Sequence, residues 1–202
     1  MPMAVRGFEG IQRYWDPGTG VWTATILPGE YYVTREAEAV STVLGSCISA
    51  CIRDLENGVG GMNHFMLPEG NASMRYGCYA MESLINELLK LGARHGRLEV
   101  KLFGGARILP SMTDVGARNI AFAQAFLKVE GLAVIAQDVA DVFPRRVVYF
   151  PESGRVLLKR LRAVDSRAVA YNEQAYRESI DSGTEGNKVE LFKGRSAGND
   201  PQ

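Results

Sequence analysis

The sequence predicts an α+β fold in which mixed β-sheets form a sandwich flanked by helices. Three observations point there. Short apolar runs of period two recur along most of the chain, separated by glycine and turn residues. Two longer stretches carry the 3-and-4 spacing of a buried helical face. Read in order, these give β-β-β-α-β-α-β-β-β, a pattern whose economical solution is sheets covered by two helices.

Each element has its own reason. Residues 1–28 are rich in glycine, proline and aromatics without a clear period, and read as an irregular extension that lays Tyr14, Trp15 or Trp22 on a partner surface. Glu30 to Val40 alternates after a β-prone Tyr-Tyr-Val-Thr and reads as the first strand. Cys47 to Asp54 is the second, with Ile48 and Ala50 on one face and Ser49 and Cys51 on the other. Asn57-Gly58 signals a turn, and Val59 to Leu67 is the third strand, stopped by Pro68. Pro68 to Gly77 reads as a polar loop with Cys78 opening a helix. In Tyr79 to Gly92, Met81, Leu84, Ile85, Leu88 and Leu91 share one helical face, and Gly92 caps its end. Leu98 to Phe103 alternates as a strand into Gly104-Gly105. Asp114 caps a second helix running to Glu130, closed by Gly131. Leu132 to Val139 is a short strand, and Arg146 to Phe150 and Arg155 to Leu161 form a hairpin. The expected organisation is an extension over 1–28, a domain over 29–176 and a polar mobile tail over 177–202.

Composition excludes several classes. In 202 residues, 23 basic side chains balance 23 acidic ones, so no bulk charge favours nucleic acid or an anionic membrane. No apolar run approaches the ~18–20 residues that span a bilayer. The N-terminus lacks the apolar core of a signal peptide, and three cysteines at spacings of four and twenty-seven make no disulfide framework. The expectation is a reduced, cytoplasmic protein with an available thiol. No Cys-x-x-Cys or His-x-x-x-His pair and no phosphate-loop lysine occurs, so no metal or cofactor is expected.

The chemistry is concentrated between Ser41 and Pro68. Cys47 follows Gly45-Ser46, and His64, one of two histidines, follows seventeen residues later. A thiol beside an imidazole is the minimal machinery of nucleophilic acyl transfer. Gly45 allows a tight turn into the strand, and Gly45 and Ser46 belong to a loop whose N–H groups can face a developing oxyanion. Cys51 lies inside an apolar strand pattern and Cys78 at a helix, the settings of inert buried thiols. His95 sits in Ala-Arg-His-Gly-Arg, an exposed turn. A hydroxyl from Ser41 or Thr42 can orient the imidazole as the third group of a triad does. Arg118 and Asn119, at the start of the second helix, are candidate polar walls of the site.

Several separated motifs together resemble one family. Leu-Gly-Ser-Cys at 44–47 with the following Cys-Ile-Arg-Asp, Gly-Gly-Met-Asn-His-Phe-Met-Leu-Pro at 60–68, Phe-Gly-Gly-Ala at 103–106, Gly-Ala-Arg-Asn at 116–119 and Pro-Arg-Arg-Val-Val-Tyr-Phe at 144–150 are similar to CheD, the chemoreceptor glutamine deamidases. The resemblance covers roughly Glu30 to Leu161. It implies a fold similar to deamidating bacterial toxins, no cofactor, and hydrolysis of glutamine side-chain amides on methyl-accepting chemotaxis receptors. It implies a nucleophile at Cys47, a histidine at His64 and a hydroxyl at Ser41 by strict counting, with Thr42 beside it. It also implies a CheC-type phosphatase as a second partner in some bacteria. Many members of that family carry Gly-Gly where this chain has Ala140-Asp141. Two other classes fit the same residues: a binding module that docks on receptors or a phosphatase without turnover, and a Cys-dependent protease or amidase with another substrate.

Overall fold

The computed structural model describes residues 6–69, 73–108 and 115–182. These form two five-stranded mixed sheets and three α-helices. The first sheet runs β1(Gln12–Asp16)-β2(Val21–Thr25)-β4(Ala39–Leu44)-β9(Arg145–Phe150)-β10(Arg155–Arg160), with β2 and β4 parallel and the other pairs antiparallel. The second runs β3(Tyr31–Thr34)-β6(Gly60–Asn63)-β5(Ile48–Asp54)-β7(Leu98–Gly104)-β8(Val134–Val139), with only β7 and β8 parallel. One continuous core joins the two, contributed by Ala24, Val40, Leu44 and Tyr149 from the first and Ile48, Ala50, Ile52 and Leu102 from the second. The α+β sandwich read from the sequence is the fold found.

Helices α1(Ser73–Lys90) and α2(Val115–Val129) lie against the second sheet, α1 on β3, β5 and β6 and α2 on β5. Met81, Leu84, Ile85 and Leu88 supply the buried face of α1, as the periodicity requires. The helix begins at Ser73, so part of the expected polar loop is helical and Cys78 lies within the helix. A side chain at Gly77 would put its Cβ 2.5 Å from the Phe122 ring, so glycine is what lets α1 meet α2. Asp114, the expected cap of α2, lies outside the described residues.

Three elements depart from the sequence expectation. Glu30 to Val40 is two strands rather than one, because the chain turns at Arg35–Ala37 and changes sheet between β3 and β4. Within residues 1–28, β1 and β2 form an antiparallel hairpin instead of an irregular extension. Its Trp15 and Trp22 meet edge to face at 6.1 Å, and Trp15 stays half-exposed. The buried carboxylate of Glu38 fastens the hairpin, accepting from the Arg13 guanidinium at 2.7 Å and from the Tyr32 and Thr34 hydroxyls at 2.6 Å each. A buried pair needs such extra hydrogen bonds to offset its desolvation. Third, Ala163–Asp181 forms a helix, α3, that the sequence reading did not anticipate; the expected tail boundary at 177 falls inside it.

Candidate active site

The nucleophile loop is one of the links between the two sheets. The chain leaves the first sheet at Leu44, turns through Gly45, Ser46 and Cys47, and enters the second at Ile48. Its three carbonyls face one way and are each held. Gly45 O accepts from Ala106 N at 2.7 Å, Cys47 O from Gly105 N at 2.7 Å, and Ser46 O from the Asn119 amide at 2.7 Å. The Phe-Gly-Gly-Ala motif is therefore a seat for this loop. Gly104 stands at φ +114°, and a Cβ there would lie 2.1 Å from Cys47 O. Only glycine tolerates both the angle and that approach.

The three N–H groups of the loop face the other way and converge on one carboxylate. Gly45 N and Cys47 N donate to Glu173 Oε1 at 2.8 and 3.1 Å, and Ser46 N and Oγ donate to Oε2 at 2.8 and 2.6 Å. Successive N–H groups arranged this way form an anion nest. Glu173 projects from α3 and is buried.

His64 reaches the loop because its neighbours are fastened beside it. Ile48 and Phe65 exchange backbone bonds at 2.9 and 3.0 Å, and His64 itself pairs through N to Glu30 O at 2.9 Å and through O from Gly29 N at 2.8 Å. The Thr42 hydroxyl lies 2.7 Å from His64 Nδ1 and 2.8 Å from the Ile26 carbonyl. A hydroxyl has one proton. Donated to Ile26 O, it leaves the oxygen to accept from Nδ1–H, which assigns the imidazole tautomer. Nε2 is then the bare nitrogen, and it is buried with no hydrogen-bond partner among the described residues. Cys47 Sγ, a ring nitrogen of His64 and a Glu173 oxygen all lie within 4.8 Å of one another. Those three donors have metal-ligand spacing, but both Glu173 oxygens already accept N–H bonds, the arrangement of a filled anion site.

The electrostatics hold both reactive groups neutral. Burial pushes His64 down to about 4, against the opposing pull of Glu173 and the Ile26 carbonyl. Burial first, then the negative charge of Glu173 and a hydrogen bond to it, push the Cys47 thiol well above its ordinary value.

The structure sorts the other expected residues. Ser41 points to Thr25, 3.2 Å between hydroxyls, while Thr42 takes the histidine. Asn119 is buried and bridges Ser46 O to the Leu67 N–H, which it accepts at 2.9 Å. Arg118 is exposed on α2 and is not among the residues lining the cleft beside His64. Cys51 is buried in β5, its thiol raised by desolvation, and Cys78 is raised by partial burial with Glu82 and Glu130 nearby. His95 is half-exposed, 3.8 Å from Glu130. Glu173 was missed. Its one sequence signal is the spacing Ala170, Glu173, Tyr176, a helical stripe whose middle member is charged. A cleft of about 900 Å³ opens between β4, the loop at Leu27–Glu30 and α3, and reaches Thr42, His64 and Glu173.

Comparison with known proteins places this chain in a family. The model of CheD, described as chemotactic sensory transduction, matches residues 66–160. A Halorhodospira halophila protein is 49% identical over 95% of this chain and 94% of its own length. A Hydrogenovibrio crunogenus protein is 50% identical over 90% of this chain and all of its own length. The chain belongs to the CheD family. Both relatives carry the name "Probable chemoreceptor glutamine deamidase CheD". The family match begins two residues after His64, so the CheD model itself does not reach the Cys47–His64 pair. Among solved structures, a Neisseria meningitidis protein of family DUF152 is 10% identical over 56% of this chain and 54% of its own, with a TM-score of 0.39. That likeness carries no weight for the chemistry.

Proposed function

We propose that this CheD chain deamidates glutamine side chains of chemoreceptors to glutamate through a thioester on Cys47. The observation that carries the reading is the convergence of three loop N–H groups on a carboxylate beside a buried Cys–His pair. A site that holds a glutamate carboxylate next to a thiol has the shape of a glutamine hydrolase holding its product. The names of relatives sharing half the residues over nearly the whole chain support the same substrate.

The chemistry follows from the tautomer. His64 Nε2 takes the thiol proton as Sγ bonds to the glutamine Cδ. The carbonyl oxygen becomes an oxyanion held by the N–H groups of Gly45, Ser46 and Cys47, a class of contact typically worth 10²–10³ in rate. The C–N bond breaks as the amide nitrogen takes the proton from Nε2 and leaves as ammonia. Water then gives a proton to Nε2 and its oxygen bonds to Cδ. The C–S bond breaks, the thiolate recovers the proton, and glutamate departs. Thr42 keeps Nδ1 protonated throughout, so Nε2 is always the working nitrogen. Asn119 and the Gly104-Gly105 seat hold the loop that supplies the oxyanion donors.

A receptor glutamine as substrate supports a cytoplasmic location, against receptor cytoplasmic regions. A CheC-type phosphatase is the second partner that the resemblance carries, docking at the same cleft. No helix among the described residues is long and apolar enough to cross a membrane. The test is peptide mass spectrometry of a receptor cytoplasmic fragment after incubation. Particular glutamines should gain about +1 Da, the exchange of amide for acid, and Cys47→Ala should abolish the gain. Persistence of the gain in Cys47→Ala would sink the assignment. A receptor that binds but gains no mass with the parent protein would favour the binding module.

A further inference from the structure

We propose that α3 is a built-in product analogue: Glu173 occupies the position of the deamidated glutamine, and α3 must swing out before a receptor side chain can enter. The inference rests on the deamidase reading and adds how the site is regulated.

The geometry excludes simultaneous occupancy. Every N–H of the nucleophile loop that faces the site is spent on the Glu173 carboxylate, and the Ser46 hydroxyl joins them. A substrate carbonyl oxygen would find no donor while α3 is docked. Cys47 is fully buried behind the same carboxylate. The negative charge of Glu173 also favours the unreactive thiol. As described, the structure is that of a closed enzyme.

The attachment of α3 is of the kind that lets go. Among its described side chains only Ala170 and Glu173 are buried. Ala170 packs on Ala106 and Ile108 in a small cluster separate from the main core. Val169 joins that small cluster and Tyr176 lies partly buried against the main core. The other ties are polar: the Tyr176 hydroxyl on the Tyr76 hydroxyl, Arg177 on Glu69, and Glu69 N to Asp181 at 3.3 Å. Elements with few buried apolar contacts open at the lowest free energies. A glutamate holds α3 by hydrogen bonds that a glutamine amide can replace in part, so substrate and strap compete for one site. Because the resident side chain arrives from a helix, the cleft is shaped for a glutamine presented on a helix.

The closing experiment uses the full chain. Glu173→Gln places the reactive amide in cis, within reach of Cys47. Hydrolysis would consume one water, release one ammonia and restore glutamate at position 173, a gain of about +1 Da. We expect that gain by peptide mass spectrometry, and its absence from the Cys47→Ala, Glu173→Gln double variant. If position 173 keeps its amide while the same protein converts receptor glutamines, α3 is not a product analogue and the deamidase reading survives. If the parent protein converts no receptor glutamine, the deamidase reading itself fails. Glu173→Ala supplies a second readout independent of turnover. Iodoacetamide should label Cys47 roughly tenfold faster than in the parent as the thiolate becomes accessible. Labelling equal to or slower than the parent, in a variant with a parent-like thermal transition, overturns the proposal.

Discussion

Replacing Thr42 with valine should separate the two hydroxyls that stand side by side before the nucleophile. Valine keeps the shape and removes one oxygen, and with it the bonds to His64 Nδ1 at 2.7 Å and to Ile26 O at 2.8 Å. The buried ring then has two options. It can keep the proton on Nδ1 without its hydroxyl acceptor, or shift the proton to Nε2 and lose the base that faces the thiol. Leaving a buried donor unsatisfied costs about 1–3 kcal/mol. At about 1.4 kcal/mol per tenfold, kcat should fall roughly 5- to 150-fold. KM should hold, because the hydroxyl touches the histidine and not the substrate. Ser41→Ala loses only a 3.2 Å contact with Thr25 and should stay within about twofold of the parent. Thr42→Ser retains the oxygen and should recover most of the loss. The assay is the initial rate of mass gain on a saturating receptor fragment, with a thermal melt to confirm each fold. A Ser41→Ala rate as low as that of Thr42→Val, or a Thr42→Val rate within twofold of the parent, would refute the tautomer argument.

Asn119→Ala removes the clamp between Ser46 O and Leu67 N, and should lower unfolding free energy by about 1–3 kcal/mol in urea titrations while reducing kcat through a loosened nucleophile loop. Ala140 sits at φ +66°, and Ala140→Gly should stabilise the protein by about 0.5–1 kcal/mol, the relief of left-handed strain less the entropy glycine adds to the unfolded chain. Burial would raise Asp54, but bonds from the Arg94 and Glu56 N–H groups, the Arg97 guanidinium and Asn57 N–H hold it down at about 2. The unfolded chain then binds that proton more readily, so this stabilisation is present above about pH 4 and fades between about pH 4 and 2, about 2 kcal/mol in all. Asp54→Asn should flatten that part of the stability profile, and an unchanged acid transition would contradict the assignment.

How much of this was legible in the sequence depended on distance along the chain. The strand that starts just after Cys47, the turn at Asn57-Gly58, His64 and the buried stripe of α1 are local patterns, and each was readable. The seat formed by Gly104-Gly105 was readable as a close approach, though not what approaches. Ser41 and Thr42 could not be ranked, because neighbours on a strand point to opposite faces and only the pairing of Thr25 with Ser41 decides which face meets His64. The break between β3 and β4 was hidden because Glu38, a charge pointing inward, sits where a solvent-facing residue would be expected. Glu173 was the deepest miss for a related reason. Helices are recognised by apolar residues on the buried face, and here the buried face is centred on a carboxylate whose partners lie more than 120 residues earlier.

The position of the nucleophile on the only link between β4 and β5 ties catalytic alignment to how the two layers of the sandwich sit on each other. The Cys47 turn takes its two ends from different sheets, so a small slide of one layer over the other reorients the attacking sulfur and shifts Thr42 against His64 in the same movement. Core substitutions far from the thiol, in residues such as Tyr149 or Leu102 that fill the space between the layers, then act as remote controls on turnover. Their signature is a fall in kcat with unchanged receptor affinity, the opposite of what losing a contact at the rim produces.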